Sequence, residues 1–424
     1  MSGARSGRES GTAAGTVHRS GSPGRAVRAP ASAPGPLLPR GPLARLLHAG
    51  NRAVSTLLTV ARQEDGEAAP EPAGPAPRLD APGIADARRY YTSQPWRYTA
   101  AILAQLRTTL GLGAEGGADD ALVLAVADWQ ATNGSGDPAL LVDGKAGPRT
   151  LPRIFTSGLN VAGEGEAFGG EVQTEVVDQW ATLATPAARR DRLVELVNQR
   201  LVAAGVPAVT GAVDPVPVNS GSFDFEFWTM LIGDEALGGD EVTQDAAAEV
   251  ADTVYHEARH TEQWFRMAQF RASQGLSAPG IAAELGIPLA IARQARDAPL
   301  VRGSVPALIA QGWWDSVYGG GADHRERVLT EVEAAATARD ATEAALEADP
   351  SPANQAAHDA ATERFQRAHD AYRNLPEEND AWATGPAAAA GITRGSPPPT
   401  DSPAGTPPAS GGPAHDVMPE ENLP

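Results

Sequence analysis

The sequence predicts a mainly α-helical chain with one small β-sheet (α+β) between unstructured termini. Three observations predict it. Several long stretches place apolar residues at helical spacing between recognisable start and stop residues. One short stretch, GSFDFEFWTM, alternates as a half-buried strand does. Both ends are dominated by Pro, Gly, Ala and Ser, which cannot build a core.

Taken in order, residues 1–41 read as a disordered basic arm. Residues 42–63 contain LARLLHAGNRAVSTLLTVARQ, whose Leu43, Leu46, Leu47, Val54, Leu57, Leu58 and Val60 form a short amphipathic motif about Gly50-Asn51. Residues 64–85 read as a linker. Residues 86–156 form a helical domain: TAAILAQLRTTLGL and DDALVLAVADWQATNG are helices, with Asp119 or Asp120 as N-cap of the second. A turn at Asp143-Gly144 and a last short helix from Gly147-Pro148 follow. The Gly-rich stretch 157–170 is expected to separate this unit from a second domain over 170–384.

In that second domain, Thr185 and Pro186 start a helix with Leu193, Leu196, Val197 and Leu201 on its apolar face, and Gly205 stops it. GSFDFEFWTM is one strand, with Phe223, Phe225 and Phe227 facing one way and Asp224, Glu226 and Trp228 the other. A long helix runs from about Thr243 to about Ser273. Residues 326–373 read as a helical hairpin broken at EADPSPA, and Pro376 starts a short helix. Residues 385–424 read as a disordered Pro/Gly/Ala-rich tail.

The chain has 424 residues and 42% hydrophobic content, enough for two or three domains with a sizeable core. Its net charge is −19. Residues 1–62 carry nine arginines and one acid, Glu9, so the body is more acidic than the total suggests. An acidic body argues against broad nucleic-acid binding. There is no cysteine, so any metal must be held by His, Asp or Glu. No run approaches the ~20 apolar residues of a membrane span, and the N-terminus lacks the apolar stretch of a secretory signal. The protein is therefore expected to be cytoplasmic as synthesised.

The stretch VYHEARHTEQWFRMAQFRA, residues 254–272, carries the chemistry. On a helix, residues four apart lie one turn along the same face. His256 and His260 can therefore present ring nitrogens to one ion, with Glu257 placed to reach a water on it. Zinc prefers neutral imidazole and acidifies bound water, and a carboxylate then moves the proton. WWDSVYGGGADHRERV, residues 313–328, adds Tyr318 and His324, either of which can donate to a developing oxyanion. Trp313 and Trp314 read as core. IAAELGIPLAIARQARD, residues 281–297, looks like a helix-turn-helix with Arg293 and Arg296 on its second helix, which makes a DNA-binding regulator a rival function.

His256, Glu257 and His260 resemble the His-Glu-x-x-His motif of the zincin metallopeptidases. That resemblance implies two zinc ligands and a general base. The segment departs from the metzincin branch, since Gln263 and Arg266 stand where that branch has Gly and His, so a third ligand must come from elsewhere. PEENDA, residues 376–381, looks like the Pro-x-Glu-x-acid-Ala pattern of zincins with a distant glutamate ligand. By that match Glu378 is the third ligand, and Asp380 is a supporting partner of a ligating His or the ligand itself; Glu377, His324 and His369 are further candidates. Glu378 lies 118 positions after His260, so the helical hairpin has to fold back.

Two further resemblances concern context. AVADWQATNG followed by VDGKAGPRTL resembles the peptidoglycan-binding-like helical domain, which implies a three-helix fold and a cell-wall partner or a spacing role. The AGN-x-A-V motif within LLHAGNRAVSTLLTVARQ resembles a short segment of proteins linked to extracellular contractile injection systems. It implies export by such a system. Together the expectations are a zinc-dependent peptidase acting on a peptide or protein substrate as an injection-system effector. The alternative is a cell-wall-binding or injection-associated structural protein with an inactive metal site.

Overall fold

The computed structural model describes residues 79–134, 138–214 and 221–393. The basic arm, the motif at 42–63, most of the 64–85 linker and most of the 385–424 tail lie outside the described residues. Within them the chain is mainly helical with one small sheet, as its sequence predicts.

The first helices start where their caps dictate. Asp80, Thr99 and Asp119 accept the amides of Gly83, Ile102 and Leu122, which a helix start otherwise leaves without partners. They open α1 (Ala81–Thr92), α2 (Ala100–Thr109) and α3 (Asp120–Asn133). The start of α1 falls inside the expected linker, because Asp80 caps it and Pro82 suits its first turn. These helices close around the turn at 143–146. Gln130 Oε1 accepts from the Asp143 and Gly144 amides at 3.0 and 2.9 Å, and Tyr91 Oη accepts from the Ala146 amide at 2.7 Å. Gly144 has φ +69°, and a Cβ there would approach Val123 to 2.7 Å. The ADWQ and VDGKAG segments are thus two halves of one hydrogen-bonded device. α4 (Leu151–Ile154) follows.

The Gly-rich stretch 157–170 is not a separator. It carries a 3₁₀ turn, Gly158–Asn160, and then α5 (Glu164–Val172). The C-terminal α15 (Gly385–Thr393), expected to be tail, packs on α5. The physical reason is close backbone approach. A Cβ at Gly169 would lie 2.0 Å from the Ala388 carbonyl oxygen, and one at Gly391 would lie 2.3 Å from that of Glu166. A composition that reads as low complexity is here what two helices in backbone contact require. Gly169→Ala is therefore expected to destabilise the protein by about 1–3 kcal/mol through overpacking. A urea midpoint equal to that of the wild type would contradict this crossing.

α6 (Pro186–Ala203) matches its expectation: Thr185 caps it, Leu193, Leu196, Val197 and Leu201 are buried, and Gly205 at φ +71° ends it. The expected strand GSFDFEFWTM is instead a hairpin. β2 (Gly221–Asp224) turns and returns as β3 (Thr229–Gly233), antiparallel with Phe223 opposite Met230. Asp224 breaks the run: its Oδ1 accepts from the amides of Glu226 and Phe227 at 2.9 and 3.1 Å, an Asx-type turn. Trp228 takes φ +55° and swings its ring inward against Phe223. Phe227, expected to share the face of Phe223, is 73% exposed. β1 (Thr210–Asp214) adds parallel to β3, giving the order β1-β3-β2 with β2 at an edge.

After the single turn of α7 (Asp234–Leu237), the long α8 (Gln244–Ser273) starts at its Thr243 cap. It is buried along most of its length, with neighbours on several sides. α9 (Ala278–Leu285) and α10 (Leu289–Asp297), joined at Gly286 with φ +70°, pack on it as a short insertion. Arg293 and Arg296 lie exposed on α10, and Asp297 pairs with Arg296 at 2.6 Å. α11 (Val305–Val317) carries Trp313 into the core, while Trp314 is partly buried against it. α12 (Ala322–Ala348) and α13 (Pro352–Arg373) form the expected hairpin, and its return leg delivers α14 (Pro376–Trp382) to α8. One core runs from Ile102 and Leu122 of the first helices to Phe265 and Trp313, and the hairpin adds a second around Phe365. Among the described residues no helix is long and apolar enough to cross a membrane.

Candidate metal centre

The centre forms where the middle of α8 meets α14. His256 and His260 share one face of α8, and α14 presents Glu378 to them. One ligand atom from each lies within 4.8 Å of the others, and all three residues are buried. His260 Nε2 stands 3.1 Å from His256 Nε2 and 3.3 Å from Glu378 Oε2. Ligands at about 2.0–2.1 Å around a tetrahedral ion stand roughly 3.3 Å apart, so both separations suit one shared ion.

Hydrogen bonding settles which nitrogen of His260 is bare. Gln263 Nε2 donates to the Glu377 carbonyl at 2.8 Å and to Asp380 Oδ2 at 2.9 Å. Both partners only accept, so the Gln263 amide oxygen is the atom that faces His260 Nδ1 at 2.8 Å. His260 Nδ1 is then the donor, and the neutral ring turns a lone pair at Nε2 toward Glu378. A carboxylate oxygen 3.3 Å from such a lone pair is repelled unless a cation or a proton lies between them. Glu378 Oε2 is indeed buried without a hydrogen-bond partner. The donor set of two imidazoles and one carboxylate, each oriented by outer hydrogen bonds, fits a divalent ion.

The electrostatics agree. In the absence of an ion, a proton takes the cation's place. Burial pulls His260 down, but Glu378 and then Glu257 outweigh it and hold the ring up at about 9. His256 is pushed down to about 3, first by burial and next by the charge of His260. Burial pushes Glu378 up, but His260 and His256 outweigh it and hold the carboxyl at about 2. Glu257 is pushed up to about 7, chiefly by burial. Its Oε2 accepts from the Phe223 amide at 2.8 Å, which ties it to the edge strand β2.

The other sequence candidates lie elsewhere. Asp380 is not among the ligand atoms and does not touch a ligating imidazole. It reaches His260 through Gln263 and pairs with Arg259 at 2.8 Å. Glu377 is buried and pairs with Arg325 at 2.7 Å. His369 lies against Phe365 and Trp382. The structure does not bring Tyr318 or His324 to the centre. The Tyr318 hydroxyl donates to the Leu285 carbonyl at 2.9 Å and accepts from Trp264 Nε1 at 3.2 Å. His324 is exposed at the start of α12, and its neighbour Arg325 points inward instead.

Three residues escape the sequence reading. Tyr372, at the end of α13, is buried and hydrogen-bonds Glu378; nothing in its spacing marks it. Trp382 covers the centre, its ring 5.0 Å from that of His256 and beneath the Arg373 guanidinium at 4.5 Å. Gln263 is legible in principle, since it stands three after His260 on the same helical face. The first helical segment also takes part: Arg153 Nη2 donates to Asn379 Oδ1 at 2.9 Å and so braces the helix that bears Glu378.

Comparison of the chain with models of known families, with curated proteins and with solved structures gives no match.

Proposed function

We propose that the protein is a zinc-dependent peptidase. The observation that carries this reading is the convergence of His256, His260 and Glu378 beside Glu257, from segments 118 positions apart. The zincin-like pattern of HEARH and PEENDA supports the choice of zinc and of peptide bonds. When bound, the ion supplies Lewis acidity toward water and a substrate carbonyl. Glu257, whose carboxyl is pushed up chiefly by burial, stands beside the ligands as the group that would take a proton and return it. Gln263 holds the proton of His260 on Nδ1, and Tyr372 orients the Glu378 carboxylate. The AGN-x-A-V motif at 42–63 supports delivery of this peptidase by a contractile injection system.

The test is Glu257→Gln in the full chain, assayed on labelled casein and a mixed peptide library. The variant retains one zinc per chain and loses hydrolysis by about 10²–10⁴-fold, the usual contribution of a general base. Hydrolysis at the wild-type rate would remove Glu257 from the chemistry.

The burial of all three ligands favours a second reading, a closed ion site that ties α8 to α14 as structural zinc sites do. Under it, wild type and Glu257→Gln both hold zinc and neither cleaves any peptide. Trp382→Ala, which uncovers His256, separates the two readings: it speeds cleavage of short peptides in a peptidase and yields none in a structural site.

A further inference from the structure

A second site lies at the far end of α8. From His260 to Arg271 the helix advances about 16 Å at ~1.5 Å per residue. There a cavity of about 440 Å³ opens between the first helical unit, the end of α8 and the start of α11, lined among others by Trp96, Arg97, Phe270, Arg271, Arg302 and Trp314. Small-molecule sites span roughly 300–1,000 Å³.

We propose that this cavity binds a small monoanion, a carboxylic acid carried on an apolar or aromatic body. Arg97 carries the argument. Its side chain is only 9% exposed, and its nearest carboxylate oxygen, Asp315 Oδ2, stands at 3.6 Å. Its Nε and Nη2 are buried without a hydrogen-bond partner. Those two nitrogens have lost water without replacing it, which is costly until an acceptor arrives.

Charge selects the ligand. Arg271 is neutralised by Glu284 at 2.7 Å, and Arg97 is loosely balanced by Asp315. Arg302 donates to the Ser273 carbonyl and forms no ion pair among the described residues. One positive charge remains, which matches a carboxylate better than a phosphate dianion. The walls select the body. Trp96 stands 63% exposed at the cavity. Phe270 and Trp314 lie 6.2 Å apart, with the Arg271 guanidinium 4.5 Å over Trp314. Aromatic faces beside a charge-assisted donor hold an apolar group and its acid together. The net charge of −19 repels anions at long range, so any anion bound here is held by these local groups.

The test titrates the full chain with N-acetylphenylalanine, its amide and phenyl phosphate, followed by calorimetry. The acid is expected to bind at least about tenfold more tightly than the amide, a difference of ~1.4 kcal/mol, and no more weakly than phenyl phosphate. Arg97→Gln brings the acid to the level of the amide. Arg302→Gln, a change at an exposed side chain that leaves folding intact, weakens the acid alone. Glu378→Ala leaves all three affinities unchanged, since the metal centre is separate. Equal binding of acid and amide, tighter binding of phenyl phosphate, no response to Arg302→Gln, or no saturation by the acid up to roughly 10 mM each overturns the proposal.

Discussion

Glu378→Ala is expected to abolish stoichiometric zinc binding. The variant keeps both imidazoles but loses the only carboxylate among the three ligand atoms. Losing an outer partner of a ligand already costs about 10–100-fold in metal affinity, and loss of the ligand itself costs at least the upper end of that range. The deletion also removes the one negative charge among those ligand atoms, so two neutral imidazoles are left to hold a divalent charge in a buried site. Two readouts follow. Metal analysis after dialysis gives about one zinc per chain for the wild type and none for the variant. Zinc at 100 times its dissociation constant stabilises the wild type by about 2.7 kcal/mol, a rise in Tm of roughly 5 °C for a chain of this size, and does nothing for the variant. Retention of zinc by Glu378→Ala would place the third ligand elsewhere and remove the basis of the peptidase reading.

How much of this was legible depended on the range of the signal. Caps, helix periods and the i, i+4 pair of His256 and His260 are local, and Asp119, Thr185 and Thr243 stand where the sequence places them. The folding back of α12 and α13 was implied by the need to bring PEENDA to the histidines. What failed was non-local. The strand alternation from Phe223 to Trp228 obeys period two, but Asp224 captures the amides of Glu226 and Phe227 and turns the chain. Gly165, Gly169 and Gly391 read as linker and tail, because composition carries no information on which helix will lie against them. Tyr318 and His324 fitted a chemical role by residue type alone. Their hydroxyl and ring are placed by packing of α11 and α12, which the sequence does not display. Tyr372 and Trp382 were silent for the same reason: an aromatic at a helix end is ordinary until the neighbouring helix is known.

Asp380→Ala is expected to be among the most destabilising single substitutions in the chain. Asp380 is fully buried and accepts from Arg259 Nε at 2.8 Å and Gln263 Nε2 at 2.9 Å. Arg259 is itself 2% exposed and, among the described residues, keeps only Glu262, at 2.6 Å, as an ionic partner once Asp380 is gone. Removing one member of a buried ion pair costs about 3–5 kcal/mol, because the remaining charge has no water to return to. That is a large part of the ~5–15 kcal/mol that holds an ordinary domain folded, and it lowers Tm by roughly 10 °C. The effect does not stop at stability. With one acceptor lost, the Gln263 amide is oriented by the Glu377 carbonyl alone, and the bond that keeps the His260 proton on Nδ1 is held less firmly. Zinc affinity should therefore fall by about 10–100-fold even where the variant is folded. Asp380→Asn separates the two consequences. Its amide oxygen can still accept from Gln263 and so preserves much of the zinc affinity, while the lost charge leaves Arg259 short of a counter-ion and the stability reduced. Equal zinc affinity in wild type, Asp380→Asn and Asp380→Ala would show that the Asp380–Gln263–His260 chain of hydrogen bonds does not position the ligand.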